Sequence, residues 1–355
     1  MKEFYAASIE EGVWRYIDLF SQYTDLKKKT NSTEKANQIS FCLRQAREYY
    51  EAARQGTLLI RPVLLYYGAL NLCKALILFK NSQISLQSSL TTHGLRRTRV
   101  SSTSSLFSLS CRVESTPKSV FYNLLNIATK DRFNFLTSIN GKGARQDYAS
   151  EYSNQISLAV NKSYRFSDVI VVIPELFELL LDTTHLLPRV VPISKFYFAQ
   201  RTDKQNQKIA CTDAILIIRH GRHPKIKKLV KHFEKKPELR DWRFKEDRWD
   251  VFEYVIPSEV NNFSFPDIRE TIFREQFGVF VTKRKIKLSE IISHFLLIFI
   301  LGDAARYIPY VWWRLMDKKI NERKIVEAFL DVTQVKFPLL ILRELRNEVI
   351  YFKQV

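Results

Sequence analysis

The chain has 355 residues, 46% of them hydrophobic, enough for a sizeable core in two or three lobes. With 56 Lys and Arg against 37 Asp and Glu, its net charge is +19, which attracts polyanions: nucleic acid, acidic proteins or anionic lipid. Only 9 glycines argue against Gly-rich phosphate loops and turn-dense all-β folds, and the four cysteines (Cys42, Cys73, Cys111, Cys211) form no CxxC pair, which argues against a zinc ribbon or a disulfide framework.

The opening residues, MKEFYAASIEEGVW, lack the basic and apolar regions of a signal peptide. Residues 1 to about 80 read as helical. In NQISFCLRQAREYYEAARQG, Ile39, Cys42, Leu43, Ala46, Tyr49 and Tyr50 fall at helical spacing, and Gly56 suits the C-terminal cap. Next comes the most apolar stretch, RPVLLYYGALNLCKALIL from Arg61 to Leu78, with Pro62 fitting a first helical turn. A membrane span needs about 20 mainly apolar residues, and a Lys at its centre costs several kcal/mol. Asn71 and Lys74 interrupt this run, so it reads as a core helix, as does IISHFLLIFILG with its His294.

Ser82 to Ser119 is rich in Ser and Thr and reads as short strands or an ordered loop. KSVFYNLLNIA returns to helix, and SINGKGARQD reads as a loop. Between Asp168 and Lys283 the segments DVIVVI, KFYFAQ, AILIIRH, WDVFEYVI and GVFVTK read as strands, with PELFELLLDT and PKIKKLVKHFEKK as helices between them. From Leu288 the chain reads as helical to its end, NERKIVEAFLDV opening one helix and Pro338 beginning or kinking the last. The elements predict an α+β, mainly helical fold. Residues 1–165 form a helical part with the Ser/Thr-rich stretch at 82–119, residues 166–285 an α/β insertion, and residues 286–355 C-terminal helices packed on the first part.

Four groups of residues invite a functional reading. On the Arg61 helix, Tyr67, Asn71 and Lys74 share one side, where they either line a cleft or satisfy neighbouring backbone, with Lys74 reaching for solvent. In RELRNEVIYF, read as part of the last helix, Arg346 either presents an anion-binding fork beside Asn347 and Tyr351 or is an ordinary surface arginine near a core tyrosine. In RHGRHPKIKKLVKHFEKK, Arg219, Arg222, Lys225, Lys227, Lys228 and Lys231 either follow a phosphate backbone or form a solvated face. In DWRFKEDRWD, Trp242, Arg243 and Trp249 interleave rings and cations, a pattern that holds single strands and also suits a strand edge. GxxxxGK[ST], GxSxG, HExxH and GxGxxG are all missing from the sequence, and no metal or cofactor set assembles.

Arg61-Pro62, Tyr66-Tyr67-Gly68, Asn71-Leu72, His93-Gly94-Leu95 and Arg306-Tyr307, with Pro309 and Trp312 or Trp313, together resemble the YaaC-like family of bacterial proteins. The resemblance spans most of the chain and implies one shared architecture without assigning an activity. A second resemblance is to helical HEPN domains: LLYYGALNLCKALI is similar to their first helix, and LRNEVIY to a later one. In the ribonucleases among them, an Arg and a His surround the scissile phosphate. Tyr351 stands where that His would be, and a phenol with a pKa of about 10 is a poor general base at neutral pH.

The expected function is a non-enzymatic nucleic-acid-binding or assembly module with a basic surface. The alternatives are a HEPN-like ribonuclease, dimeric and using Arg346, Asn347, Tyr351 and Lys74, or a scaffold for an acidic protein in a multi-component bacterial system such as one of antiphage defence. Expected partners are DNA or RNA, with a protein partner or homodimer as well. The expected compartment is the cytoplasm, with no membrane, metal or cofactor.

Overall fold

The structure, a computed structural model, describes residues 2–99, 105–139, 142–152, 154–193, 195–202, 208–217, 243–247, 249–253, 268–272, 277–280 and 288–354. The fold is α+β and mainly helical, in two compact units. One contains residues 2–130, 151–170 and 286–355, and the other contains 131–150 and 171–285.

The larger unit opens with β1 (Lys2–Ala6), then α1 (Ile9–Phe20), α2 (Tyr23–Thr30), α3 (Thr33–Gln55) and α4 (Arg61–Lys80). The Ser8 and Ser32 hydroxyls accept from the backbone N–H groups of Glu11 (3.1 Å) and Lys35 (3.3 Å), side-chain caps that start α1 and α3. Gly56 caps α3 in an extended conformation. Short elements follow: α5 (Leu86–Ser89), β2 (Leu95–Arg97), β3 (Ser110–Val113), α6 (Val120–Ile127), α7 (Gln155–Ala159), β6 (Ser163–Arg165) and α8 (Phe166–Ile170). The C-terminal helices are α10 (Glu290–Tyr307), α11 (Pro309–Lys318) and α12 (Ile320–Arg346), and the last strand is β14 (Ile350–Gln354).

Helix α4 is the hub of this unit, packing against α3, α6, α10 and α12. By length and composition alone it could cross a membrane, yet most of it is buried inside the unit. A helix apolar on all sides needs a partner on all sides, and protein supplies them here. Two glycines allow the close approaches. A Cβ on Gly68 would lie 2.5 Å from Tyr50 Cδ2 on α3, and one on Gly302 would lie 3.0 Å from Tyr66 Cβ and 3.1 Å from the Pro62 carbonyl. Tyr66, Phe121, Phe295 and Phe299 fill the α4–α10 contact. Full burial of side chains of this size stabilises by about 1.5–3 kcal/mol each.

Polar groups tie α12 to the same core. Lys336 and Glu290 form a buried ion pair at 2.6 Å between α12 and α10. The His294 imidazole, fully buried, shares a 2.8 Å hydrogen bond with Thr333 and stacks on Phe329. Arg61, at the start of α4, donates to Gln334 Oε1 (2.7 Å) and pairs with Asp331 (2.6 Å), while Gln334 donates to Glu10 on α1 (3.0 Å).

The smaller unit holds β4 (Lys130–Ile139), which pairs with β5 (Lys142–Glu151), and α9 (Phe177–Thr183). Strands β7 (Val190–Ile193), β12 (Ile268–Glu270) and β13 (Phe277–Phe280) form an antiparallel sheet of order β12-β13-β7. Strands β8 (Lys195–Thr202) and β9 (Lys208–Ile217) pair antiparallel, as do β10 (Arg243–Asp247) and β11 (Trp249–Glu253). Arg269 is fully buried, donating to the Val172 carbonyl (2.7 Å) and to Asp131 (3.3 Å).

Several sequence expectations change. Part of DVIVVI is α8 rather than strand; a short, fully buried β-branched run does not distinguish the two. Most of SINGKGARQD, read as a loop, lies in β4 and β5, where cross-strand pairing outweighs a sequence without apolar alternation. Pro338 lies inside one continuous helix, α12, and begins none. The C-terminal helix stops at Arg346, where Asn347 adopts φ 56° as a left-handed cap. Beyond it, β14 pairs in parallel with β1, Lys2 opposite Ile350 and Glu3 opposite Tyr351.

Candidate functional site

Where α4 crosses α10, motif residues from three distant stretches of chain meet. Tyr66 and Tyr67 come from α4, His93 from the segment before β2, and Arg306 and Tyr307 from the end of α10. Arg306 is held by its own helix and by α4: Nε donates to the Gly302 carbonyl (3.1 Å) and Nη1 to the Tyr67 hydroxyl (3.0 Å). Its guanidinium carbon lies 4.7 Å from the Tyr66 ring centroid, 4.9 Å from that of Tyr307 and 5.3 Å from that of Tyr67. A planar cation suits such a ring-lined position, because it stacks while its edge keeps donating.

The chain turns by 110° between α10 and α11, around Ile308 and Pro309. That turn ends α10 with Tyr307 pointing outward, 62% exposed. Trp312 secures the turn by donating from Nε1 to the Leu59 carbonyl (3.1 Å), between α3 and α4. Behind Tyr67, Tyr49 of α3 stacks at 5.6 Å. Arg97 of β2 completes the rim, 5.6 Å from the Tyr307 ring and within 3.5 Å of the Asp303 carboxylate.

Burial raises the Asp303 pKa above the ordinary aspartate value, and the charges of Arg97 and Arg306 only partly oppose this. Burial also pushes the Tyr66 phenol well up, so it stays protonated. The His93 ring lies on Phe299 at 5.2 Å, with part of the residue exposed. Desolvation and then Arg306 lower its pKa, which keeps the ring neutral. His93 Nδ1 accepts from the Leu95 backbone N–H at 3.2 Å. In the neutral ring this fixes the proton on Nε2, so His93 presents a donor and not a base. The site is therefore rich in donors and stacking surface, with the Asp303 carboxyl as its proton-accepting group.

The Tyr67, Asn71 and Lys74 stripe has a simpler explanation than a cleft. Tyr67 stacks on Tyr49, and Lys74 lies near enough to Cys42 to influence its thiol, so the stripe runs antiparallel along α3. Asn71 is buried and donates to the Tyr67 carbonyl of its own helix (3.0 Å). Arg346 and Tyr351 do not share a helix. Arg346 ends α12 and donates to Glu348 (2.6 Å), Asn347 is the exposed cap, and the Tyr351 backbone belongs to β14. The fork expected at Arg346, with Tyr351 beside it on one continuous helix, does not form. Arg219, Arg222, Lys225, Lys227, Lys228, Lys231 and Trp242 lie outside the described residues. Arg243 and Trp249 lie at the ends of β10 and β11, opposite Glu253 and Asp247.

The family profile described as YaaC-like Protein matches residues 14–345. The chain belongs to the YaaC-like family. No match was found among curated proteins or among solved structures. In this YaaC-like protein Tyr66, Tyr67, His93 and Tyr307, all among the residues that carry the sequence resemblance, gather around Arg306, and Arg61 clamps the start of α4. Three members of the site carry no functional signal in the sequence: Arg97, Asp303 and Tyr49, which reads there only as part of a helical pattern. Asp303 lies three residues before Arg306, one helical turn away, which is the one local signal that could have found it.

Proposed function

We propose that this YaaC-like protein is a non-enzymatic nucleic-acid-binding module, and that the cluster around Arg306 holds an unpaired base beside a phosphate. The observation that carries this reading is a guanidinium fixed among three tyrosine rings, the outermost of them 62% exposed. Ring stacking with adjacent cations holds single strands with little sequence preference. Arg306, Arg97 and the His93 Nε2–H supply donors to phosphate or base edges, and the net charge of +19 supplies long-range attraction. The ring stack around Arg306 and the donor imidazole of His93 favour holding a ligand.

The test is fluorescence anisotropy with labelled 20-nucleotide RNA and DNA, titrated with salt, on wild type and Tyr307→Ala. Base stacking of about 1–3 kcal/mol corresponds to a loss of affinity of about 5-fold to 150-fold, with an unchanged melting temperature because Tyr307 is exposed. Equal affinity of wild type and variant would remove the site. Affinity of the wild type that does not fall with salt would remove the polyanion reading altogether. Tight binding of an acidic protein, with none to nucleic acid, would favour the scaffold reading instead.

A further inference from the structure

Strands β2, β3 and β6 form a small antiparallel sheet in the order β2-β3-β6. One face is buried, with Leu95, Cys111, Val113 and Tyr164 turned inward, and β2 and β3 both pack on α10. The other face is open. Register places Arg96 directly opposite Arg112, Arg112 opposite Ser163, and Ser110 opposite Arg165. Thr98 extends the same face by donating its backbone N–H to the Ser110 carbonyl (3.2 Å). Arg96, Arg112 and Arg165 are all exposed.

Like charges directly opposite across strands destabilise a sheet. This sheet carries such a pair, with a third arginine on the neighbouring strand. Opposite residues stand about 5 Å apart and diagonal ones about 7–8 Å, so three guanidinium groups are anchored across a short patch. None of the three forms an ion pair among the described residues, neither with Glu114, two residues beyond Arg112, nor with Asp168 after Arg165. Between them stand only the hydroxyl-bearing Thr98, Ser110 and Ser163. An arrangement that folding alone disfavours calls for a counter-charge from outside the chain.

We infer that the open face of the β2-β3-β6 sheet is a docking surface for a nucleic-acid phosphate backbone. The chemistry selects that partner. Guanidinium forks bind phosphate with two parallel N–H···O bonds, and Ser and Thr hydroxyls add hydrogen bonds to phosphate and sugar oxygens. A lipid surface would call for an apolar wedge beside the cations, and this face shows none among its described residues. Strand β2 serves both places: Arg97 turns to Asp303 and Tyr307, and Arg96 turns to the open face. The inference rests on the nucleic-acid reading and adds a second binding surface to it.

The experiment uses the full chain carrying Arg96→Gln, Arg112→Gln and Arg165→Gln together, beside wild type and Tyr307→Ala. Probes are a labelled 20-nucleotide poly(U) strand, a poly-glutamate peptide and phosphatidylserine vesicles. The triple variant is expected to melt no lower than wild type, and higher at low salt, because a like-charge pair has been removed. Its poly(U) affinity should fall, and the slope of log affinity against log salt should flatten by about 2, at about 0.7 for each single-strand phosphate that is no longer neutralised. If wild type binds poly(U) and the triple variant keeps both affinity and slope, this surface is overturned and the site at Tyr307 stands. If the triple variant loses only peptide or vesicle binding, the nucleic-acid assignment of this face is overturned. If wild type binds none of the nucleic-acid probes at any salt, the functional reading fails and this surface fails with it.

Discussion

Asp303 is the residue where burial and charge oppose each other most directly. Its carboxylate lies beside Arg97 and near Arg306, yet loss of hydration dominates and raises its pKa. A carboxyl group with a folded pKa above the unfolded value binds more protons in the native state. Its contribution to stability therefore falls as pH rises from the ordinary value of 3.8 toward the raised one. Asp303→Asn abolishes this dependence. The melting-temperature difference, variant minus wild type, is expected to grow as pH rises above 3.8; a difference flat from pH 4 to pH 7 would contradict the burial argument. The same residue shows how far the sequence could be read at this scale. Arg306, Tyr67 and His93 were recognisable as motif residues, but a carboxylate's partner on β2 depends on a strand of three residues in a Ser-rich stretch, too short to carry a periodic signal.

Elements with an all-apolar face were the most legible. Helices α3, α4 and α10 follow from their spacing, and the exclusion of a membrane span for α4 agrees with its burial against four other helices. Elements that depend on partners were not. The last strand, β14, follows a helix whose sequence gives no reason to stop except Asn347, and it exists because β1 offers an edge. Between α10 and α12 the Glu290–Lys336 pair makes a sharper prediction. Removing one partner of a buried ion pair leaves the other charge uncompensated and costs about 3–5 kcal/mol, whereas replacing both with apolar residues is often neutral. Lys336→Met should therefore lower the denaturation midpoint steeply, and adding Glu290→Leu should restore much of the stability. Equal stability of wild type and Lys336→Met would show that the pair does not bind these helices together.

Beyond single elements, the three described thiols report on opening of the larger unit, which holds them all. Cys42, Cys73 and Cys111 are all buried, and burial pushes Cys42 up to about 11 and raises the other two as well. With Cys211 replaced by Ser, a thiol reagent should find nothing reactive at neutral pH until denaturant unfolds the chain, and then all three together. Early modification of Cys42 or Cys73 would reveal a local opening of the α3–α4 region, and of Cys111 an opening at β3. The parallel pairing of β1 with β14 adds a constraint of timing. Nearly the entire polypeptide separates Lys2 from Ile350. At about 5–20 residues per second, β1 emerges from the ribosome and waits about 20–70 s for its neighbour. Through that interval its hydrogen-bonding edge is open to any other extended chain nearby, so during synthesis the newborn protein depends on whatever shields that edge.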